Sequence, residues 1–198
     1  VELVMEAFEQ YWRKSPSVKR LVLRVVPDES TRLAALKRGE VDLAYSIRGE
    51  LAEELQRTPG LALKPAVIQG TFWLYFPDQW DPKSPWHDRR VRQAASLAVD
   101  RPSINQALTL GHSRLTNSII PSMFDFFWAP PAPVHSAARA KALLAEAGHP
   151  NGFDAGEFTP FPPYFGVAEA AVNYLQAVGI KTRMRTMERA AFLTAWRG

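Results

Sequence analysis

Apolar and polar positions first fall into a clear rhythm at residues 71–76, TFWLYF, where Phe72, Leu74 and Phe76 alternate with Trp73 and Tyr75. Both faces of a period-two strand here carry large apolar groups, so neither face is plain solvent. The stretch predicts a strand that is buried or lines a cleft. Asp78, Pro82, Ser84 and Pro85 behind it are turn formers, and Asp88 is placed to cap a helix. The period then changes to that of a helix. Val91, Ala94, Ala95, Leu97, Ala98 and Val99 form a wide apolar stripe between Arg89, Arg92, Gln93 and Asp100.

Upstream, residues 21–26 are a β-branched, apolar run that predicts a buried strand ended by Pro27. Asp28, Glu29 and Ser30 offer N-caps to a helix over 31–38, and Gly39 supplies its stop. A second strand is expected over 41–47. Strand, short helix and strand in this order predict a β-α-β unit with parallel pairing, because parallel neighbours need a crossover. A helix over 49–57 and a strand over 61–68 follow, the latter punctuated by Gln69 and Gly70. Downstream, helices are expected over 104–110, 137–147, 167–178 and 188–196, and a strand over 180–187; residues 154–165 read only weakly as a strand. The long loop after residue 116 carries Phe124, Phe126, Phe127 and Trp128, too many large apolar groups to leave in water, so it is expected to pack on something.

With 46% hydrophobic and 22% charged residues in 198, the chain has enough apolar material for one good core or two small ones. No apolar run approaches the roughly 20 residues of a membrane span. The start, VELVMEAFEQYW, lacks the basic and apolar regions of a signal peptide, and both ends read as those of an internal piece. Cysteine is absent, which excludes disulfides, thiolate zinc sites and thiol nucleophiles. The formal charge of +4 is spread along the chain among acidic residues, without the clustered basic stripe of a nucleic-acid interface.

Catalytic chemistry finds no footing. His87, His112, His135 and His149 sit in turns without metal-ligand spacing, no Gly-x-Ser-x-Gly turn or phosphate loop occurs, and Glu53 and Glu54 lie on an exposed helix face. No cofactor or metal is expected. Asp88, Arg90, Arg92, Asp100 and Arg101 are best explained by helix capping and ion pairing. Binding residues are sought instead among the aromatics, since they supply apolar contact while Tyr O–H and Trp N–H add direction. Of Trp73, Tyr75, Phe126, Phe127 and Trp128 at least one or two are expected to face a cleft, and Trp73, Tyr75, Phe126 and Trp128 are the candidates. Tyr45 and Ser46 join them, at the end of the predicted second strand, where open α/β sheets bind ligands.

Four ordered blocks carry a family resemblance. The stretch SPWHDRRVRQAASLAVDRPSINQALTLG, with Pro85, Asp88, Arg90, Val91, Arg92, Gln93, Ala94, Ala98, Asp100, Arg101 and Ile104, resembles a block of the peptide- and nickel-type extracellular solute-binding proteins, family 5, of ABC importers. VPDESTRLAALKRGEVDLAYSI (Arg32, Leu36, Gly39, Glu40, Asp42), AKALLAEAG with Gly152 and Phe153, and LQAVGIKTRMRTME are similar to three more. Many members have Asn where this chain has Pro77, and the Asn-Pro that precedes Tyr11-Trp12 in the family is missing. The resemblance implies part of a two-lobed, type II periplasmic-binding-protein-like α/β fold with mixed sheets flanked by helices. Residues 1–70 would belong to the first lobe and 71–198 to the second, with the crossover near 68–76. It also implies a non-enzymatic, monomeric protein outside the cytoplasm that captures a small or peptide-like solute between its lobes and hands it to an ABC permease. The alternative is a ligand-sensing or protein-interaction module on the same fold.

Overall fold

Alanine is what lets the centre of the larger unit close. The computed structural model describes residues 1–66, 68, 70–131 and 134–197, and the chain divides into two units, Val1–Leu63 and Lys64–Gly198. In the second, helix α3 (Arg89–Ala98) buries Val91, Ala94, Ala95 and Ala98 almost completely. Three of these four are alanines, so the backbone of α5 (Ala137–Glu146) approaches closely, with Ala140, Leu143 and Leu144 on the facing side. Burying Val91, Leu144 and Ile180 contributes about 1.5–3 kcal/mol each.

Against this pair lies a β-α-β unit made of β3 (Phe153–Phe158), α6 (Phe165–Ala177) and β4 (Ile180–Met184). The strands are parallel, Phe153 opposite Ile180 and Phe158 opposite Met184, with a register irregularity between Asp154 and Glu157. Leu175, Val178 and Ile180 join the common core. Two glycines make the turn into β3 and the turn into β4 possible: a Cβ on Gly152, at φ +76°, would stand 1.9 Å from the Gly179 carbonyl oxygen. That oxygen is needed where it is, because it accepts from Phe153 N at 3.0 Å.

Two 3₁₀ turns, Pro77–Trp80 and Pro85–His87, precede α3, with Pro77 and Pro85 in their first turns. Trp86 closes one edge of the core, stacked on Phe76 at 4.4 Å and edge-on to Phe153 at 5.3 Å. Helix α4 (Arg101–Thr109) contacts α6, and α7 (Arg189–Arg197) ends the described chain.

The first unit holds an antiparallel ribbon and two helices. β1 (Glu2–Glu6) pairs with β2 (Arg20–Arg24), Val4 opposite Val22, and every residue of both strands is exposed. Helices α1 (Glu29–Lys37) and α2 (Gly49–Arg57) pack on each other, and their buried residues are Leu33, Ala35, Ala52 and Leu55. Lys37 pairs with Glu54 across them.

The helices agree with the sequence reading to within three residues at each end. The strands do not. The β-α-β unit expected over residues 21–47 is absent: β2 takes β1 as its antiparallel partner, and residues 41–47 form no strand. Ser46 adopts a left-handed φ of 59°, which interrupts an extended run. The parallel crossover unit lies instead at residues 153–184. The aromatic stretch 71–76 has no strand partner among the described residues, and neither have residues 61–66; Val67 and Gln69, part of the expected strand and its punctuation, lie outside them.

Candidate functional site

The aromatic stretch fails as a strand but still organises a surface. From it, Phe72 meets Tyr164 edge-on at 4.8 Å and Tyr75 tilts against Trp196 of α7 at 5.1 Å. Trp196 stacks near Phe192 at 6.2 Å, Phe192 meets Phe161 at 5.2 Å, and Phe161 faces Tyr164 at 6.2 Å. The rings thus run without a break from one end of the stretch around to the other, with the Arg189 guanidinium 5.5 Å from the centre of the Phe161 ring. Helical spacing explains the α7 share, since Arg189, Phe192 and Trp196 recur at i, i+3 and i+7 on one face. Trp73 and Tyr75 remain 57% and 54% exposed, so neither is sealed in a core. The sequence reading named Trp73 and Tyr75 and missed Phe161, Tyr164, Phe192 and Trp196. The available signal was that helical spacing of aromatics in α7.

In the first unit, Tyr45 and Ser46 are held by one side chain. Arg32, one helical turn beyond the Asp28 cap of α1, donates from Nε to Tyr45 O at 3.0 Å and from Nη2 to Ser46 O at 2.9 Å. Its Nη1 donates to Val26 O and Pro27 O, both at 2.8 Å. A single planar guanidinium therefore ties the end of β2 to the loop, satisfying carbonyls that a strand neighbour would otherwise take. Glu29 sits 3.9 Å from Arg32 and accepts the Arg48 N–H. The Tyr45 ring is left 66% exposed at the end of this bracket.

The loop after α4 packs less than expected. Phe126, at φ 65°, is 94% exposed and Trp128 69% exposed, and Phe124 is exposed as well. Phe127 alone of the four turns inward, where it lines a groove of about 400 Å³ with Val99, Pro102, Leu115, Ala129, Pro130, Val134, Arg101, Thr116, Asn117 and His135. Among the described residues no ring contact links Phe126 or Trp128 to Trp73 or Tyr75. A shallower hollow of about 560 Å³ on α2 is lined by Glu50, Glu53, Glu54, Arg57 and Thr58. Two of its carboxylates are already engaged, Glu53 with Arg57 at 3.0 Å and Glu54 with Lys37.

The charged residues of the long motif hold helix ends. Asp88 accepts from Arg90 N at 2.7 Å and pairs with the Arg90 guanidinium, which keeps its carboxyl below the usual range. Arg90 also donates to Glu146 O at the end of α5, and Arg92 to His87 O. Asp100 caps α4 through Ser103 N and Oγ. His135 bonds Leu97 O through Nδ1 at 3.0 Å and is half-buried rather than a surface turn residue. Among the described residues no group of three His, Asp or Glu is placed to hold a metal ion, and no helix is long and apolar enough to cross a membrane.

Residues 1–198 match the family described as bacterial extracellular solute-binding proteins, family 5, middle portion. The chain belongs to this family. Among curated relatives of this family-5 chain, Heme-binding protein A of Haemophilus influenzae is 29% identical over 195 residues, 94% of this chain and 35% of the relative. Glutathione-binding protein GsiB of Escherichia coli K12 is 25% identical over 191 residues, 93% of this chain and 36% of the relative. Among solved structures, DppA of Helicobacter pylori in complex with the peptide STSA superposes with a TM-score of 0.80 at 24% identity, covering 97% of this chain and 37% of that one. AgaA of Agrobacterium tumefaciens R10 in complex with agropinic acid gives 0.72 at 28% identity, over 98% and 40%. The fold is α/β, that of the periplasmic binding proteins. The family-5 chain spans a little over a third of the length of these curated relatives.

Proposed function

We propose that the family-5 chain is the central portion of the substrate-binding component of an ABC-type importer, working outside the cytoplasm as a monomer without cofactor or catalytic step. Residues 1–70 contribute to one lobe and residues 71–198 to the other; the division of the chain at Leu63 and Lys64 supports a boundary in this region. The solute is small, peptide-like or other; the relatives are named for haem, for glutathione and for a short peptide.

The observation that carries this reading is the continuous aromatic face of Phe72, Tyr75, Phe161, Tyr164, Phe192 and Trp196, on which Phe72, Tyr75, Phe161 and Trp196 are exposed and Tyr164 and Phe192 half-buried. Aromatic walls bind through apolar area with little rotamer entropy to lose, and the Tyr and Trp polar atoms give direction. Trp73, exposed beside that face, and Tyr45 with Ser46 on the Arg32 bracket supply further contacts in this reading, as do Phe126 and Trp128 from the loop. The Asp88, Arg90 and Asp100 side chains of the motif are spent on helix ends, which leaves them no part in bond-making in this reading.

The test is a thermal-shift screen of the full-length protein against short peptides, haem, glutathione, metal chelates and oligosaccharides, followed by calorimetry on the hit. Tyr75→Ala and Trp196→Ala are each expected to weaken binding about tenfold or more, as aromatic anchors do. Unchanged affinity in both variants overturns the assignment of this face. A stabilising response to a nucleotide cofactor alone overturns the solute-binding reading.

A further inference from the structure

The groove behind Phe127 contains a charge that the fold leaves uncompensated. Its walls are mostly apolar, from Val99, Pro102, Leu115, Phe127, Ala129, Pro130 and Val134. Arg101 stands among them, half-buried. Its guanidinium donates through Nη1 to Ser96 O at 2.9 Å and through Nη2 to Ser96 Oγ at 2.9 Å, with a longer bond to Val99 O at 3.4 Å. All three acceptors are neutral. The neighbouring Asp100 turns its carboxylate to Ser103, and among the described residues Arg101 has no carboxylate partner. Burial accordingly pushes the guanidinium down from its usual range with no acid to offset it. A guanidinium carries five N–H donors in a fork suited to a carboxylate, and the three bonds made here leave Nε–H and one Nη2–H over.

The rest of the rim is built rather than open. Asn117 Nδ2 donates to Pro131 O at 2.7 Å, and Thr116 Oγ1 accepts from Ser118 N at 3.0 Å. His135 is fixed by its bond to Leu97 O and by edge-on contact with Tyr174 at 5.7 Å. Because Leu97 O can only accept, Nδ1 carries the proton and Nε2 is left as the second polar atom of the wall. A volume of about 400 Å³ falls within the range of small-ligand sites.

We propose that this groove binds a small carboxylate with an apolar body, its carboxylate on Arg101 and its body between Phe127, Leu115 and Val134. Charge complementarity selects this occupant over a neutral or cationic one: an amine would meet the guanidinium, and a neutral molecule would leave it unpaired. The site uses none of the residues of the aromatic face, so it stands if the importer reading fails.

The test is methyl NMR of the full-length protein labelled at Leu and Val, titrated with hexanoate and with N-acetyl-leucine. Hexylamine and N-acetyl-leucine amide serve as controls. Saturable shifts of the Val99, Leu115 and Val134 methyls with either acid, at least about tenfold tighter than with its neutral or cationic counterpart, are expected from a charge-assisted pair. Response to hexanoate alone identifies a free alkyl acid as the occupant; response to N-acetyl-leucine alone identifies an acylated amino acid or peptide end. Arg101→Gln is expected to erase the preference for the acids. Ala129→Trp, at an exposed rim position that leaves Arg101 and its bonds in place, is expected to abolish binding. Equal affinity for acids and controls, or no shift at these methyls, overturns the proposal.

Discussion

The two units handle apolar residues in opposite ways. In residues 64–198, small side chains let α3 and α5 approach closely, and Val91, Leu144, Leu175 and Ile180 disappear from solvent. In residues 1–63, Leu3, Met5, Leu21 and Leu23 stand on a ribbon with both faces exposed. An isolated two-stranded ribbon is marginal in water, so β1 and β2 draw their order from pairing and from the Glu2–Arg24 ion pair at 3.4 Å, a modest contribution. The same composition thus yields a self-sufficient core in one unit and a template without cover in the other. The larger core lies in the second unit, while the first combines a small one of Leu33, Ala35, Ala52 and Leu55 with hydrogen bonds such as those of Arg32.

The sharpest way to break this comparison is a pair of truncations. Leu144→Ala is expected to lower the unfolding free energy of the chain by about 2–5 kcal/mol, while Leu21→Ala on the ribbon stays within about 0.5 kcal/mol. Urea denaturation followed by circular dichroism reads both, and equal losses would contradict the contrast. Gly152→Ala comes next. Its Cβ meets the Gly179 carbonyl and its backbone is left-handed, so a loss of about 1–3 kcal/mol is expected, visible as earlier melting of the second unit.

Arg32→Gln sharpens the claim for the first unit. Amide exchange over residues 45–48 is expected to rise by about tenfold, the cost of a charged hydrogen bond, while α3 amides keep their protection. Unchanged exchange in that loop would remove the bracket from the account.

The smallest effect is the acid dependence of Asp28. Ser30 and Thr31 hydrogen bonds lower its carboxyl from 3.8 to about 2. The stabilisation from this cap is therefore complete above pH 3.8 and is lost as pH falls through about 2. Asp28→Asn is expected to flatten the helix signal of the first unit across that window. A variant with an unchanged acid profile would show that the cap contributes nothing. Asp88 and Asp100, lowered by Arg90 and Ser103 respectively, follow the same sign in the second unit.

From residues alone, the helices were legible because each carries its own evidence. Asp88, Asp100 and Ser136 accept from the N–H groups of the turns they open, and Gly39, Gly111, Gly148 and Gly179 follow the helices they stop. A helix bonds to itself within four residues, so its pattern is local. A strand is completed by a neighbour that no local pattern names. Nothing in residues 21–47 revealed that β2 pairs back to residues 2–6 rather than across α1, and nothing in TFWLYF revealed that its rings find Tyr164 and Trp196 instead of a strand partner. The sequence by itself determined the family, the helices and the absence of cysteine chemistry. Only the tertiary structure decided which carbonyls Arg32 holds, which aromatics form one face, and that Arg101 lines an apolar groove with no carboxylate partner among the described residues, because each depends on contacts between residues far apart along the chain.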